Sequence, residues 1–235
     1  MDLEKSINNI REFILHRYKD NLAALLVFGS ANTGHFKEGK SDIDTMIFLK
    51  EWKALKREQE RKLLLEKLRK YSFNTQYFHT LESIKEYIQN RTSFSTYIVI
   101  VTQDGSRILY STPEFEKTRK FLIQNPPAKE SIKEYVREKD KFELDGYIKN
   151  ETNLKRARSF FAHFRRKLQI MNYFENGELI FDYNDCLANI SLPKKEKTEL
   201  NKLYEIYEKR EAIDDNENKR YDELARKLTK RILKS

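Results

Sequence analysis

Two apolar segments separated by a short polar loop place the strongest constraint on how this chain can fold. Leu22–Phe28 is a continuous apolar run that ends at Gly29-Ser30, and Ile43–Leu49 is a second run opened by Asp42 and Asp44. Eleven residues, two of them glycines, lie between Ser30 and Asp42. Apolar runs of this length, bounded by glycine and polar residues, indicate buried strands. The segment therefore predicts two strands with polar residues where one ends and the next begins.

The second strand opens with two acidic residues. Asp42 and Asp44 are two positions apart, so their side chains leave an extended chain on the same face. Two carboxylates on one face repel each other unless a cation lies between them. Mg²⁺ prefers oxygen ligands and commonly links one or two protein carboxylates to substrate phosphates. The pair therefore predicts a site for Mg²⁺ or Mn²⁺.

Gly29 and Ser30, at the end of the first strand, predict the other half of such a site. Glycine allows a phosphate to approach the backbone, and the following N–H and hydroxyl groups can donate to phosphate oxygens. Gly-Ser or Asp-x-Asp alone occurs by chance in many proteins, whereas the two in this order are much more specific. A metal held by two acids beside a phosphate-binding turn is suited to in-line attack on a nucleoside triphosphate.

This segment resembles the active-site motif of the polymerase-β-like nucleotidyltransferase superfamily, and its short layout is similar to the minimal nucleotidyltransferases. The resemblance implies an α/β (α+β) fold, with a small mixed β-sheet flanked by helices. It also implies Mg²⁺-dependent transfer of a nucleoside monophosphate from an NTP, expected to be ATP, to an acceptor hydroxyl with release of pyrophosphate. Gly29 and Ser30 would then contact the triphosphate, and Asp42 and Asp44 would be the catalytic metal ligands.

The same family normally carries a third carboxylate on a later neighbouring strand. That strand is predicted at 71–78, where Gln76 and Asn74 are the possible third-acid positions. An amide oxygen can bind a metal, but an amide cannot act as a general base near neutral pH. Asp104 or Glu82 could supply the acid instead, or the enzyme could work with two acids. The remaining alternative is a catalytically impaired nucleotide-binding or antitoxin-like regulatory protein.

The rest of the chain suggests two domains. Thr96–Val101 is rich in β-branched residues and Asp104-Gly105 is typical of a hairpin turn, so a hairpin returning through 107–110 is predicted. Asn125-Pro126-Pro127 must end a helix, because proline lacks the N–H that a helix interior needs. We therefore expect a nucleotidyltransferase domain over 1–125 and an all-α helical bundle domain over 126–235.

Arg158 and His163 lie in a predicted helix at 151–174 and resemble the Arg-x4-His pair of HEPN helical domains, some of which are ribonucleases. A histidine could act as acid or base while an arginine binds a phosphate. Five residues along a helix correspond to a rotation of about 500°, so the two side chains point in different directions. The apolar stripe of this helix favours the simpler interpretation, packing in a bundle.

The net charge of the chain indicates which kinds of partner it could bind. Lys and Arg number 46 against 37 Asp and Glu, a formal net charge of +9. Such a surface attracts polyanions, although it could equally serve solubility. The acceptor could be a small molecule, a protein hydroxyl or an RNA end, with nucleic-acid contact through the basic surface. No apolar run is long enough for a membrane span and the N-terminus lacks a signal-peptide core, so a cytoplasmic protein is expected.

Overall fold

The computed structural model describes residues 2–39, 41–52, 56–91 and 94–235, without the side chains of Gln76, Gln89, Asn90, Arg91 and Tyr147. The chain divides into two compact units: Met1–Asn90 with Thr96–Pro126, and Arg91–Ser95 with Pro127–Ser235. We call the first the sheet unit and the second the helical unit. The division into 1–125 and 126–235 as independently folding domains stays a prediction.

Four strands form one sheet in the described part of the sheet unit: β1 (Leu22–Phe28), β2 (Ile43–Leu49), β3 (Phe73–Thr80) and β4 (Ser106–Ser111). Their order is β3-β2-β1-β4. β1 is antiparallel to both β2 and β4, whereas β2 and β3 are parallel. The predicted mixed sheet is therefore confirmed. The two strands predicted at Leu22–Phe28 and Ile43–Leu49 are β1 and β2.

Helices pack against both faces of the sheet, which explains why β1 is apolar at every position. On one face, α1 (Leu3–Tyr18) and α2 (Arg57–Lys67) contribute to a core that includes Ile43, Ile47 and Leu49 of β2. On the other face, α5 (Pro113–Gln124) brings the ring of Phe115 to 5.2 Å from that of Phe48. Because side chains alternate along a strand, Asp44 lies on the same face of β2 as Phe48.

The predicted strand at Thr96–Val101 is wrong, because this segment belongs to helix α4 (Phe94–Val101), which follows α3 (Leu81–Arg91). Its hydrophobic side chains are all buried, and a short apolar run is compatible with either a buried strand or a buried helix. Gly105 packs so closely on this helix that a Cβ there would lie 2.9 Å from the Cα of Val99. The predicted hairpin is therefore also wrong, and β4 pairs with β1 instead.

The described residues of the helical unit beyond Pro127 form helices only: α6 (Lys129–Phe142), α7 (Asn153–Asn176), α8 (Tyr183–Asn189), α9 (Lys194–Lys209) and α10 (Asp215–Lys234). A π-helical turn over Glu143–Tyr147 continues α6. α7 is the central helix and packs on α8, α9 and α10. The predicted C-terminal helical bundle is thus confirmed. None of the described helices combines the length and the apolarity needed to cross a bilayer.

Candidate active site

The Gly29-Ser30 turn begins where β1 ends. Gly29–Ala31 forms one turn of 3₁₀-helix, in which the N–H groups of Asn32 and Thr33 donate to the carbonyl of Gly29 over 3.0 and 3.1 Å. Gly29 has a φ of +68°, in the left-handed region that favours glycine. Ser30 lies in the first turn, where backbone N–H groups have no acceptor within the helix. The turn therefore carries the donors that a phosphate group needs.

Asp44 is the second residue of β2, and it lies close to the Gly29-Ser30 turn. It pairs with Phe28 on β1 and with Asn74 on β3. Asn74 Nδ2 donates to Asp44 Oδ1 over 2.8 Å. A Cβ at position 29 would lie 3.0 Å from Asp44 Oδ2, so both its φ and its close approach to this carboxylate favour glycine. The structure thus brings Gly29 and Asp44 together, as the sequence predicted.

Asp42 directly precedes β2 and is exposed. The entry to the strand is fixed on both sides, since Ser41 Oγ accepts from the N–H of Lys37 over 3.0 Å and the N–H of Ile43 donates to the carbonyl of Ser72 over 2.8 Å. Asp42 makes no ion pair with any residue that the structure describes. Its carboxylate is accessible for a ligand.

A β-bulge decides which of the two candidate amides lies opposite Asp44. β3 pairs with β2 in register up to Thr75 and then skips Gln76, so that Tyr77 becomes the partner of Met46. The residue opposite Asp44 is therefore Asn74. Gln76 lies in the bulge, and its side chain is outside the described residues.

The bulge also places an aromatic side chain that the sequence did not indicate near the site. Tyr77 lies on the Asp44 face of the sheet, and its ring centroid is 5.9 Å from that of Phe28. Because β1 and β3 flank β2, the two rings meet above β2 on the face that carries Asp44. The skipped residue puts Tyr77 on this face.

The structure shows a main-chain contact for Asp104 and an exposed ion pair for Glu82, the two alternative acids. The described residues contain no group of three or more His, Cys, Asp or Glu side chains that could hold a metal ion. The backbone carbonyl of Asp104 accepts from Asn32 Nδ2 over 3.0 Å, so it is the main chain of this residue that contacts the loop. Glu82 forms an exposed ion pair with Lys85.

Comparison with known proteins agrees with this geometry. Residues 7–109 match the family model described as a nucleotidyltransferase domain. This segment is a nucleotidyltransferase domain. Among solved structures, the whole chain is similar to spectinomycin adenyltransferase AAD(9) from Enterococcus faecialis, crystallised with ATP and spectinomycin. The TM-score is 0.63 at 16% identity, over 97% of this chain and 98% of that one, and the likeness shows the fold. No curated protein sequence matches significantly.

Outside the nucleotidyltransferase domain, the structure does not bring Arg158 and His163 together. Both lie on α7, but Arg158 is exposed whereas His163 is 1% exposed. His163 Nδ1 is 2.6 Å from Glu143 Oε2, and Nε2 is 3.2 Å from Asp140 Oδ1 without hydrogen-bond geometry. The histidine is therefore a buried partner of two carboxylates rather than half of an Arg-His site.

Asp140, Glu143, His163, Arg166 and Lys167 form what we call the buried ionic network. Lys167 Nζ donates to Asp140 Oδ1 over 2.7 Å and to the carbonyl of Ala225 over 3.0 Å, and it also contacts the hydroxyl of Thr229. Arg166 Nη1 donates to Glu143 Oε2 over 2.8 Å. The network joins α6, α7 and α10 and stabilises the helical unit.

Burial and charge act in opposite directions within this network. Burial by itself would raise the pKa of Asp140, but His163 and Lys167 outweigh it and lower the pKa to about 2. The pKa of Glu143 is likewise lowered to about 2, because His163 and Arg166 outweigh the effect of burial. Burial lowers the pKa of Lys167 to about 8, against the opposing effect of Asp140. Both acids are therefore ionised at neutral pH.

Proposed function

We propose that this chain transfers a nucleoside monophosphate from an NTP, with ATP as the first nucleotide to test, to an acceptor hydroxyl. The acceptor oxygen forms a bond to the α-phosphorus, the bond from that phosphorus to the oxygen bridging to the β-phosphate breaks, and pyrophosphate leaves. The supporting observation is the contact of Gly29 with the carboxylate of Asp44, where an added Cβ would lie 3.0 Å from Oδ2. A nucleotide bound at the turn would have its phosphates beside this carboxylate.

The residues present fit a divalent cation. Asp42 and Asp44 would hold Mg²⁺ or Mn²⁺ through carboxylate oxygens, the ligands that such ions prefer. When bound, the cation neutralises charge on the phosphates. Asn74 orients Asp44 by donating to its Oδ1 over 2.8 Å. Gly29 and Ser30 would bind the β- and γ-phosphates through backbone N–H groups and the serine hydroxyl.

The acceptor hydroxyl must lose its proton when its oxygen bonds to the phosphorus. Asn74, opposite Asp44, cannot take it, because an amide has no basic form near neutral pH. We propose that the proton passes to water or to a basic group of the acceptor itself. An acceptor that carries an amine near its reacting hydroxyl would therefore react faster than a neutral one.

The acceptor classes follow in order of support. The similar adenyltransferase was crystallised with ATP and spectinomycin, which supports a small molecule as the first class to test. A protein hydroxyl is the second class. An RNA end is the third, and the net charge of +9 supports its inclusion; binding to RNA should then weaken steeply with salt. We also propose that residues 126–235 fold as a separate helical domain.

Label transfer tests the proposal. The chain is incubated with Mg²⁺, each acceptor class and labelled ATP, GTP, CTP or UTP in turn. We expect transfer from at least one nucleotide, and a loss of about a thousandfold in Asp42→Asn, equivalent to about 4 kcal/mol of transition-state stabilisation. Asp20→Asn is the matched control, because Asp20 is an exposed acid of the same unit. Transfer that persists in Asp42→Asn contradicts the proposal.

The amide at Asn74 favours a second candidate function, a nucleotide-binding or antitoxin-like regulatory protein without turnover. Such a protein would bind an NTP at the same residues, since the turn and the two acids remain. Equilibrium dialysis with labelled nucleotides distinguishes the two. Binding that requires Asp44, without release of pyrophosphate in the presence of any acceptor class, supports the regulatory function and excludes the enzyme.

A further inference from the structure

Asn74 is the one of the two candidate third-acid positions that lies directly opposite Asp44. It pairs directly with Asp44 in the parallel register of β2 and β3, and its Nδ2 is 2.8 Å from Asp44 Oδ1. An ionised carboxylate only accepts hydrogen bonds, so the NH₂ group of Asn74 must face it. A carboxylate at this position could not donate in this way. The amide therefore holds Asp44 in place and adds no negative charge.

The charge of the site follows from this pairing. Asp42 and Asp44 contribute two carboxylates, and the described residues offer no third His, Cys, Asp or Glu within reach of a shared ion. Mg²⁺ gives up its water molecules reluctantly and is usually bound by one or two carboxylates together with substrate phosphates. A two-carboxylate site therefore needs the triphosphate to complete its ligands.

We infer that Asn74 is a positioning residue that makes cation binding depend on the nucleotide. The nucleotide-free protein holds a divalent cation weakly, and the cation binds together with the triphosphate. Asn74 keeps the carboxylate of Asp44 oriented in the free protein, so that no rearrangement is needed when the nucleotide arrives. This inference rests on the proposed function, because it takes Asp42 and Asp44 as the cation ligands.

Titration with Mn²⁺, followed by the electron paramagnetic resonance signal of the free ion, tests the inference without a turnover assay. The wild type is compared with Asn74→Asp and Asn9→Asp. The first variant places a third carboxylate opposite Asp44, whereas the second makes the same change at an exposed position of α1. Without nucleotide, we expect Asn74→Asp to bind Mn²⁺ at least about tenfold more tightly than the wild type, because affinity rises with ligand charge. Asn9→Asp should show no such gain.

The same titration can overturn the inference. Equal Mn²⁺ affinity of the wild type and Asn74→Asp does so, as does an equal gain in Asn9→Asp. The melting temperature reports on folding: two adjacent carboxylates should lower that of Asn74→Asp, and Mn²⁺ should restore it. Asn74→Ala provides a variant without added charge. It should weaken Mn²⁺ binding in the presence of a non-hydrolysable ATP analogue, and unchanged binding removes the positioning role.

The ATP analogue also separates this inference from the proposed function. Mn²⁺ binding by the wild type only with the analogue, lost in Asp42→Asn, supports both. Mn²⁺ binding that is as tight without the analogue as with it overturns the inference and leaves the proposed function standing. If neither Mn²⁺ nor the analogue binds in any combination, the proposed function fails and the inference fails with it.

Discussion

The sheet unit and the helical unit each contain a pair of acids, but the groups that contact these acids differ. In the sheet unit, Asp42 is exposed and Asp44 accepts a hydrogen bond from the neutral amide of Asn74. In the helical unit, the side chains of Asp140 and Glu143 are only 13% and 14% exposed. Their neighbours include the cations of Lys167 and Arg166.

The neighbouring side chains therefore distinguish an acid with a structural role from an acid that is a candidate metal ligand. Each acid of the buried ionic network meets side chains that neutralise it, so the network connects three helices and leaves little for a ligand to gain. The carboxylate of Asp44 is oriented by an amide and lies against a glycine of a donor-rich turn. Such an arrangement is suited to binding a cation and phosphates, because both kinds of group are already positioned.

The largest expected effect concerns the buried pair. Asp140→Ala leaves the ammonium of Lys167, which is 2% exposed, without its carboxylate. We expect the free energy of unfolding to fall by about 3 to 5 kcal/mol, measured by chemical denaturation. The double variant Asp140→Leu with Lys167→Met should recover most of this loss. Asp42→Asn should change the free energy of unfolding by less than about 0.5 kcal/mol, as is usual at the surface. Equal losses of stability in Asp140→Ala and Asp42→Asn would contradict the difference drawn between the two pairs of acids.

Acid should weaken the helical unit more than the sheet unit. The folded-state pKa values of Asp140 and Glu143, both about 2, lie below their ordinary values of 3.8 and 4.5. Depressed carboxyl pKa values contribute stability that is lost as pH falls, so the free energy of unfolding should drop by about 2 to 3 kcal/mol between pH 5 and pH 3. Thermal melts across this range check the slope. A double variant Asp140→Leu with Lys167→Met that kept the full slope would contradict this assignment.

The third prediction concerns two glycines, whose replacement should cost less stability than loss of the buried pair, and it distinguishes strain from function. Gly29→Ala and Gly177→Ala both place a side chain at positive φ, +68° and +73°, so each should cost about 1 to 2 kcal/mol. Only position 29 faces Asp44, since nothing lies within 4 Å of a Cβ at Gly177. Nucleotide binding, measured by calorimetry, should therefore weaken in Gly29→Ala and stay unchanged in Gly177→Ala. Equal binding by both variants would remove Gly29 from the proposed site.

Local patterns predicted the core of the sheet. The runs at Leu22–Phe28 and Ile43–Leu49 are strands as expected, because a buried strand imposes apolar residues along its whole length. The same patterns could not classify Thr96–Val101, since a short, mostly apolar run suits a buried helix as well as a strand. In the structure this segment is helical, and the Gly105 turn packs closely against it.

The candidate site, too, could be predicted only in part from the sequence. From the sequence alone, the Gly-Ser turn and the Asp-x-Asp strand could be related to nucleotidyltransferase domains, because their residues and spacing resemble the motif of that family. The ligand roles of Gly29, Ser30, Asp42 and Asp44 stay predictions. The three-dimensional fold was needed to place Asn74 rather than Gln76 opposite Asp44, since one bulged residue shifts the strand register and leaves no local sequence signal. The structure also showed that His163 lies beside Glu143 and Asp140, which come from other parts of the chain.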